Sequence, residues 1–271
     1  MKHREVFDVR IDDLSQAELN EKLRSWFESF VKGRIIVTTN AEFLILARKV
    51  KVFQNQLNAS DLSLPDSVSL RYAIAALTDS YLEHRHPGVD VLQTLAKLCS
   101  EQGRRLLLLG GASGAAQATA MKFIQSLPDL QVLAIDPGNV HFNDTTNVSR
   151  NIIEQIRQTN PDVVAVALGH GKQEAFMFQM KDLLPHVRIW IGVGGAFDML
   201  SGQKKRAPRL IRKIGLEWVW RLMKEPRRWK RIMNASIVFP FTVALSTLRS
   251  HRFLKALTRV FPEVYRQLKG L

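Results

Sequence analysis

The sequence predicts an α/β fold: a Rossmann-like, mostly parallel sheet with helices on both faces, extended by a basic helical appendage at the C-terminal end. Three observations lead there. Short apolar runs such as Arg34–Thr39, Arg104–Leu109, Asp162–Leu168 and Val187–Val193 alternate with segments of helical period, the βαβα order of a parallel sheet covered on both sides. Several of these runs end in glycine or small polar residues, and the carboxyl ends of strands are where open α/β sheets bind ligands. Charge is partitioned as well. Ser201–Leu271 holds 18 Lys/Arg and 3 acids, whereas the first 200 residues hold 21 and 22, so the net charge of +14 resides in the last quarter.

In chain order, Phe7–Ile11 alternates and reads as a short strand. Ser15 and Glu18 form a capping box, after which Leu19, Leu23 and Trp26 recur at helical spacing. Arg34–Thr39 reads as a buried strand, followed by Asn40-Ala41-Glu42 and a helical pattern through Phe43, Leu44, Leu46, Ala47 and Val50. Leu62–Leu64 is a second strand, ending at Pro65-Asp66, with a helix around Val68–Leu77. Arg85-His86-Pro87-Gly88 breaks the chain before a helix over Val89–Gln102, which Gly103 ends. The strand Arg104–Leu109 runs into Gly110-Gly111 and Gly114, then the helix Ala115–Leu127. Val132–Ile135 is a strand, 136–142 a turn-rich loop and Asn147–Gln158 a helix. Asp162–Leu168 is another strand, a helix from the Lys172-Gln173-Glu174 block runs through Leu184, and Val187–Val193 is the last strand. The body is therefore placed at 1–200 and the basic appendage at 201–271.

Composition excludes several classes. A hydrophobic content of 46% supplies a sizeable core and argues against disorder. The one cysteine, Cys99, excludes an intramolecular disulfide and any cysteine metal cluster, which suits a reducing compartment. The first residues, MKHREVFDVRIDDL, contain no apolar signal region. The longest weakly charged apolar run, Ala235–Leu248, has 14 residues with Pro240 inside it, short of the ~20 that span a bilayer. No H-E-x-x-H, D-x-D or G-x-S-x-G occurs, and the histidines are scattered, so neither a metal site nor a serine hydrolase is expected.

The candidate site residues lie at strand ends. Asp66 could act as a general base toward a hydroxyl within hydrogen-bond reach, or cap the helix that follows it. Thr38, Thr39 and Asn40 could bind a sugar or phosphate, or cap the next helix. Gly110 and Gly111 could bring backbone N–H groups up to a phosphate, or only let strand and helix pack closely. Gln173 could offer its amide to a sugar or to uracil, or belong to a solvated first turn. Arg85 joins the substrate-binding candidates, and Asp198 is read as a structural cap. The arm fits a nucleic acid, an anionic membrane or a phosphorylated ligand. Trp218, Trp220 and Trp229 interleave with its cations, which suits base stacking or a bilayer interface. Arg221, Arg228 and Arg231, spaced by seven and three, share a face on a continuous helix and would suit a pyrophosphate.

Taken together, the blocks TTNAEFL, LPDS, HPGVDVLQTL, LLLLGGASGAAQ, PDVVAVALGHGKQE, VGGAFDMLSGQKKRAP and GLEWVWRLMKEPRRWKR resemble the bacterial WecG/TagA/CpsF glycosyltransferases (glycosyltransferase family 26) over nearly the whole chain. The resemblance implies an inverting transfer of a hexose-type sugar from a UDP-sugar to a sugar on undecaprenyl diphosphate, with neither metal nor cofactor. It implies Asp66 as catalytic base, Thr38 and Asn40 at the first strand end, Gln173 from the K-Q-E block, and Arg221, Arg228 and Arg231 from the appendage. Gly110–Gly114 and Gly194-Gly195 would permit close approach of the UDP-sugar. A peripheral enzyme on the cytoplasmic face of the inner membrane is expected, with an anionic membrane surface as partner, no nucleic acid, and a homo-oligomer allowed. The sequence departs from the family at two places. Pro65-Asp66-Ser67-Val68-Ser69 replaces P-D-G-x-G, and Gly169-His170-Gly171-Lys172-Gln173-Glu174 replaces G-A-P-K-Q-E. N-acetylmannosamine, its uronic acid and glucose all stay open as donors. The alternative is a Rossmann-like nucleic-acid-binding module, and a dinucleotide-dependent oxidoreductase is disfavoured by the irregular glycine spacing.

Overall fold

The computed structural model describes residues 2–29, 32–137, 147–203, 208, 217–224 and 229–269, except the side chains at 147–149, 217, 218, 221 and 224. Its centre is a six-stranded, all-parallel sheet. The strands are β3 (Arg34–Thr39), β4 (Leu62–Pro65), β5 (Arg105–Gly110), β6 (Gln131–Ile135), β7 (Val163–Ala167) and β8 (Ile189–Gly192), in spatial order β4-β3-β8-β7-β5-β6. A strand pattern of period two explains why the runs are apolar throughout. Ile35, Val37, Leu107, Leu109, Val164, Val166 and Trp190 point into one core, and Ile36, Leu106, Leu108, Val163, Ala165, Ile189 and Ile191 into the other.

Helices α1 (Gln16–Glu28), α5 (Gly88–Glu101), α6 (Ala115–Ser126) and α9 (Ala196–Leu200) cover one face. Helices α2 (Ala41–Ala47), α3 (Lys51–Ala59), α4 (Val68–Leu77), α7 (Asn147–Thr159) and α8 (Lys172–Leu183) cover the other. From β3 the chain steps to the β4 edge, and from β5 to the β6 edge, with β8 filling the centre last. Loops leaving β3 and β5 therefore diverge, and the crevice between them opens at the carboxyl ends of the strands.

Three local readings are corrected. Phe7–Ile11 is not one strand: β1 (Lys2–Val6) and β2 (Val9–Asp13) form an antiparallel hairpin whose two-residue turn is Phe7-Asp8, both at positive φ (51° and 59°). Such a turn usually takes Asn-Gly. Here packing holds it: Phe7 meets the Phe239 ring edge-on and lies beneath the Arg48 guanidinium, while Gln54 and Asn58 donate to the carbonyls of Phe7 and Asp8. Second, the helix after Asn40 stops at Ala47. Val50 is extended and opens α3, which periodicity did not reveal.

The third correction concerns the appendage. Helix α10 (Glu217–Lys224) is followed by α11 (Trp229–Met233), a π-helical turn (Asn234–Val238), α12 (Phe239–Arg249) and α13 (Phe253–Lys269). Pro240 does not break the chain there. The π turn closes with Phe239 N–H donating to the Asn234 carbonyl, and Pro240 follows directly in the first turn of α12. Trp229–Arg249 is thus one helical stretch of 21 residues, long and apolar enough to cross a membrane by length and composition. One of its faces is already occupied. Ile232, Phe239, Val243 and Thr247 are buried, and the stretch packs on α2 and α4. Burying side chains such as Phe239 and Val243 contributes about 1.5–3 kcal/mol each, so these helices complete the core of the body.

Candidate active site

The carboxyl ends of β4, β3 and β8 meet at one point. Asp66 directly follows β4, and its N–H donates to the Thr39 carbonyl while the Thr39 and Ser63 hydroxyls bond at 2.8 Å. The Asp66 carboxylate does not cap α4, whose cap position is Ser67. It instead accepts from the N–H of Gly88 at 3.0 Å, the first residue of α5. Pro87, at the cap position of α5, has no side-chain acceptor to offer. The half-buried Asp66 therefore supplies that end with a charge-assisted bond. Glycine at 88 allows a close approach: a Cβ there would lie 3.3 Å from the Thr38 hydroxyl, tighter than usual contact, and 3.6 Å from the Val193 Cα. The end of α5 can thus rest on β3 and β8.

Thr38 and Gln173 hold the loop after β8. The buried Thr38 hydroxyl donates to the Gly192 carbonyl at 2.8 Å, just past the last β3–β8 pair. Gln173, 1% exposed, accepts from Gly194 N–H at 3.1 Å and donates to Glu174 at 2.7 Å. A Cβ on Gly192 would come within 2.7 Å of the Gln173 amide nitrogen. Gln173 and Glu174 of the K-Q-E block are therefore interior, not in the solvated turn that their polarity suggests, while Lys172 is exposed. Gln173 acts on the loop, leaving Gly194 (φ 53°) and Gly195 with open space where side chains would stand.

Glu174 was not singled out in the sequence, although the three-residue spacing from Gly171 is that of a capping box. Its carboxyl is fully buried and accepts from Gly171 N–H at 2.6 Å as well as from Gln173. Burial outweighs both bonds and pushes it up to about 7. The unfolded chain releases this proton at lower pH than the folded one, so stability should fall as pH rises from about 4.5 to 7. Thermal unfolding from pH 5 to 8 should show that loss, and Glu174→Gln should flatten it. An unchanged slope in the variant would assign the pH dependence elsewhere.

The glycine turn after β5 is tied to the same loop. Gly110 (φ 93°) and Gly111 (φ 90°) turn the chain so that Gly111 N–H donates to the Ala167 carbonyl. A Cβ on Gly111 would lie 3.1 Å from the Phe197 ring. Asp198, buried in α9, accepts from Ala112 N–H at 3.1 Å, and Gln203 donates to the Ser113 carbonyl. Close packing accounts for Gly110 and Gly111, while 111–114 stay exposed at the start of α6.

On the other side of β3, Asn40 caps α2 by accepting from Phe43 N–H. Arg231 reaches the same turn: its Nε donates to Glu42 at 2.8 Å, and His170 Nδ1 lies 3.5 Å from the same carboxylate oxygen. Burial, then the charge of Arg231, holds His170 below the ordinary histidine range. Arg85 is exposed beside His86, whose N–H donates to the Pro65 carbonyl. Arg228 and the Arg221 side chain lie outside the described residues. The structure thus brings together Asp66, Thr38, Gln173 and Gly194-Gly195, and joins Gly110-Gly111 to them through α9. Among the described residues no three His, Cys, Asp or Glu side chains gather as a metal site would need.

Comparison with known proteins identifies relatives of this chain. The model of the glycosyl transferase WecG/TagA/CpsF family matches residues 4–253. An N-acetylglucosaminyldiphosphoundecaprenol N-acetyl-beta-D-mannosaminyltransferase of Bacillus subtilis (strain 168) is 33% identical over 202 residues, 74% of this chain and 76% of the relative. The protein of that name from Bacillus spizizenii is 30% identical over 203 residues, 75% of this chain and 76% of its own. That of Staphylococcus aureus (strain MW2) is 24% identical over 243 residues, covering 89% and 91%.

Proposed function

The chain belongs to the WecG/TagA/CpsF glycosyltransferase family, and we propose that it moves N-acetylmannosamine from its UDP conjugate to N-acetylglucosaminyl-diphosphoundecaprenol. The names of the relatives supply the acceptor and favour this sugar over its uronic acid or glucose. One observation carries the mechanism. The Asp66 carboxylate stands at the joined ends of β4, β3 and β8, next to the open Gly194-Gly195 turn.

The acceptor hydroxyl attacks the anomeric carbon and gives its proton to Asp66. The new C–O bond forms as the bond to the UDP phosphate breaks, with inversion, and UDP leaves with its added charge. Arginines of the appendage, Arg221, Arg228 and Arg231, neutralise that charge or hold the acceptor diphosphate. Thr38 and Gln173 keep the β8 loop in place, Asn40 fixes the start of α2, and Arg85 lies on the rim. The exposed turn 111–114 leaves the start of α6 open to the donor.

UDP release, measured over a panel of UDP-sugars with a synthetic lipid-diphosphate N-acetylglucosamine acceptor, tests the reading. Turnover with UDP-N-acetylmannosamine at least tenfold above the other donors is expected. Release with no donor, or equal release without acceptor, would overturn it. Because the sequence carries no D-x-D motif and no Cys/His cluster, EDTA should leave the rate unchanged. A loss restored by magnesium or manganese would overturn that part.

The lipid acceptor calls for placement at a membrane surface, and α13 supports it. Leu254, Leu257, Phe261, Tyr265 and Leu268, 38–78% exposed, are spaced by three, four, four and three. They form one outward stripe. The opposite face, with Ala256 and Glu263 buried and Arg259 donating to the carbonyls of Ala75 and Ser80, is docked on the body. Lys255, Arg266 and Lys269 flank the stripe, and the one acid of the helix, Glu263, is buried. An apolar stripe bordered by cations suits an anionic leaflet better than nucleic acid. We place the enzyme on the cytoplasmic face as a peripheral protein, with the stripe in the interface.

A further inference from the structure

We propose that Glu42 is a positioning residue for transfer, holding Arg231 by its Nε so that the guanidinium is fixed at the carboxyl end of β3. This rests on the reading that appendage arginines meet the diphosphate.

The pair joins residues 189 apart in sequence at 2.8 Å. Glu42 lies in the first turn of α2, two residues after Asn40 and four after Thr38, so its carboxylate belongs to the strand end that carries the site. That carboxylate is mostly covered, at 19% exposed. The contact uses Nε. The two terminal nitrogens of Arg231 make no hydrogen bond to the described residues, and two parallel N–H donors are what a phosphate pair accepts. Lysine has no such fork, so the arrangement needs arginine.

His170 shares the carboxylate oxygen at 3.5 Å and leans on Phe43. Its depressed proton affinity keeps it neutral near pH 7, so Arg231 is the cation that meets the Glu42 charge.

Docking of the arm does not hang on the ion pair. Ile232 is buried beside it, the π turn packs on α2, and Phe239 meets Phe7. Partly exposed ion pairs contribute little to stability. Losing Glu42 should therefore free the guanidinium while leaving the helix seated, and small misplacement of a positioning group can cost on the order of 10²-fold in rate.

The test uses full-length Glu42→Gln, Arg231→Ala and the double variant. UDP release is followed with the lipid-diphosphate acceptor, beside thermal unfolding and amide hydrogen exchange of Trp229–Met233. Glu42→Gln should lower kcat at least tenfold with the unfolding midpoint nearly unchanged. The double variant should be no slower than Arg231→Ala, because both act through one contact. Glu42→Asp should recover part of the rate. A Glu42→Gln enzyme with more than half its activity, or losses that multiply in the double variant, would overturn the proposal. If the wild type turns over no donor, the proposed function fails instead. Binding of UDP then decides on the pair: weaker UDP binding in Glu42→Gln, with hydrogen exchange at Trp229–Met233 unchanged, is expected, and equal UDP binding would overturn it.

Discussion

Asp66→Asn should reduce transfer by ~10²–10⁴, the usual cost of losing a general base, while UDP-sugar affinity stays within a few fold. The substitution separates chemistry from architecture. Asp66 Oδ1 accepts from Gly88 N–H, and the carbonyl oxygen of an asparagine can accept the same bond. The end of α5 stays tied to β4, Gly88 stays against Thr38 and Val193, and the fold is kept. What asparagine cannot do is take a proton. Asp66→Ala should also release the α5 end and lower the unfolding midpoint. Turnover and UDP-sugar binding measured on both variants give the answer. An Asp66→Asn enzyme with more than half the wild-type rate would make Asp66 a structural tie and nothing more.

The contrast between Asp66 and Gln173 shows where reading the sequence succeeds and stops. Five of the six sheet strands were legible as short apolar runs buried on both faces, a pattern that few other structures generate, whereas β6 is a half-exposed edge strand. Asp66 and Thr38 were legible as strand-end residues, since a polar residue after such a run falls at the sheet's carboxyl edge. The burial of Gln173 and Glu174 was not legible. Nothing in K-Q-E says that Gly192, lacking a Cβ, leaves room for a side-chain amide over β8. The Phe7-Asp8 turn was hidden for a related reason. Its φ values are unfavourable for those residues locally, and Phe239, Arg48, Gln54 and Asn58 hold them from elsewhere in the chain. Glu42 looked like an ordinary first-turn acid of α2, because its partner lies 189 residues away. In the appendage, charge dominated the reading. The stripe on α13 is a matter of spacing, and it became visible once Ala256 and Glu263 were seen to occupy the opposite face.

Removing that stripe should detach the enzyme from membranes without unfolding it. Deleting everything after Gly202 is a poor test, because Phe239, Val243 and Ala256 are part of the main core and the body would lose them as well. Leu254, Phe261 and Leu268 are a better choice, being 78%, 67% and 50% exposed. Changing all three to serine should move the unfolding midpoint little. Each side chain sunk into an interface contributes on the order of 1 kcal/mol, given ~25 cal/mol per Å² of apolar area removed from water. Three together correspond to a loss of roughly 100-fold in partition, at about 1.4 kcal/mol per tenfold. The cations that remain add an attraction that salt screens, so the residual binding of the variant should vanish at high salt sooner than that of the wild type. Co-sedimentation with anionic liposomes, at low and high salt, reads both effects. Turnover should fall in step with binding when the acceptor is embedded in those liposomes. It should stay near wild type with a short-chain, water-soluble acceptor, since the stripe is the outward, exposed face of α13. A triple variant that sediments as the wild type does would move the membrane contact off α13, with the exposed Ile237, Val238 and Phe241 of the preceding helix as the next residues to change.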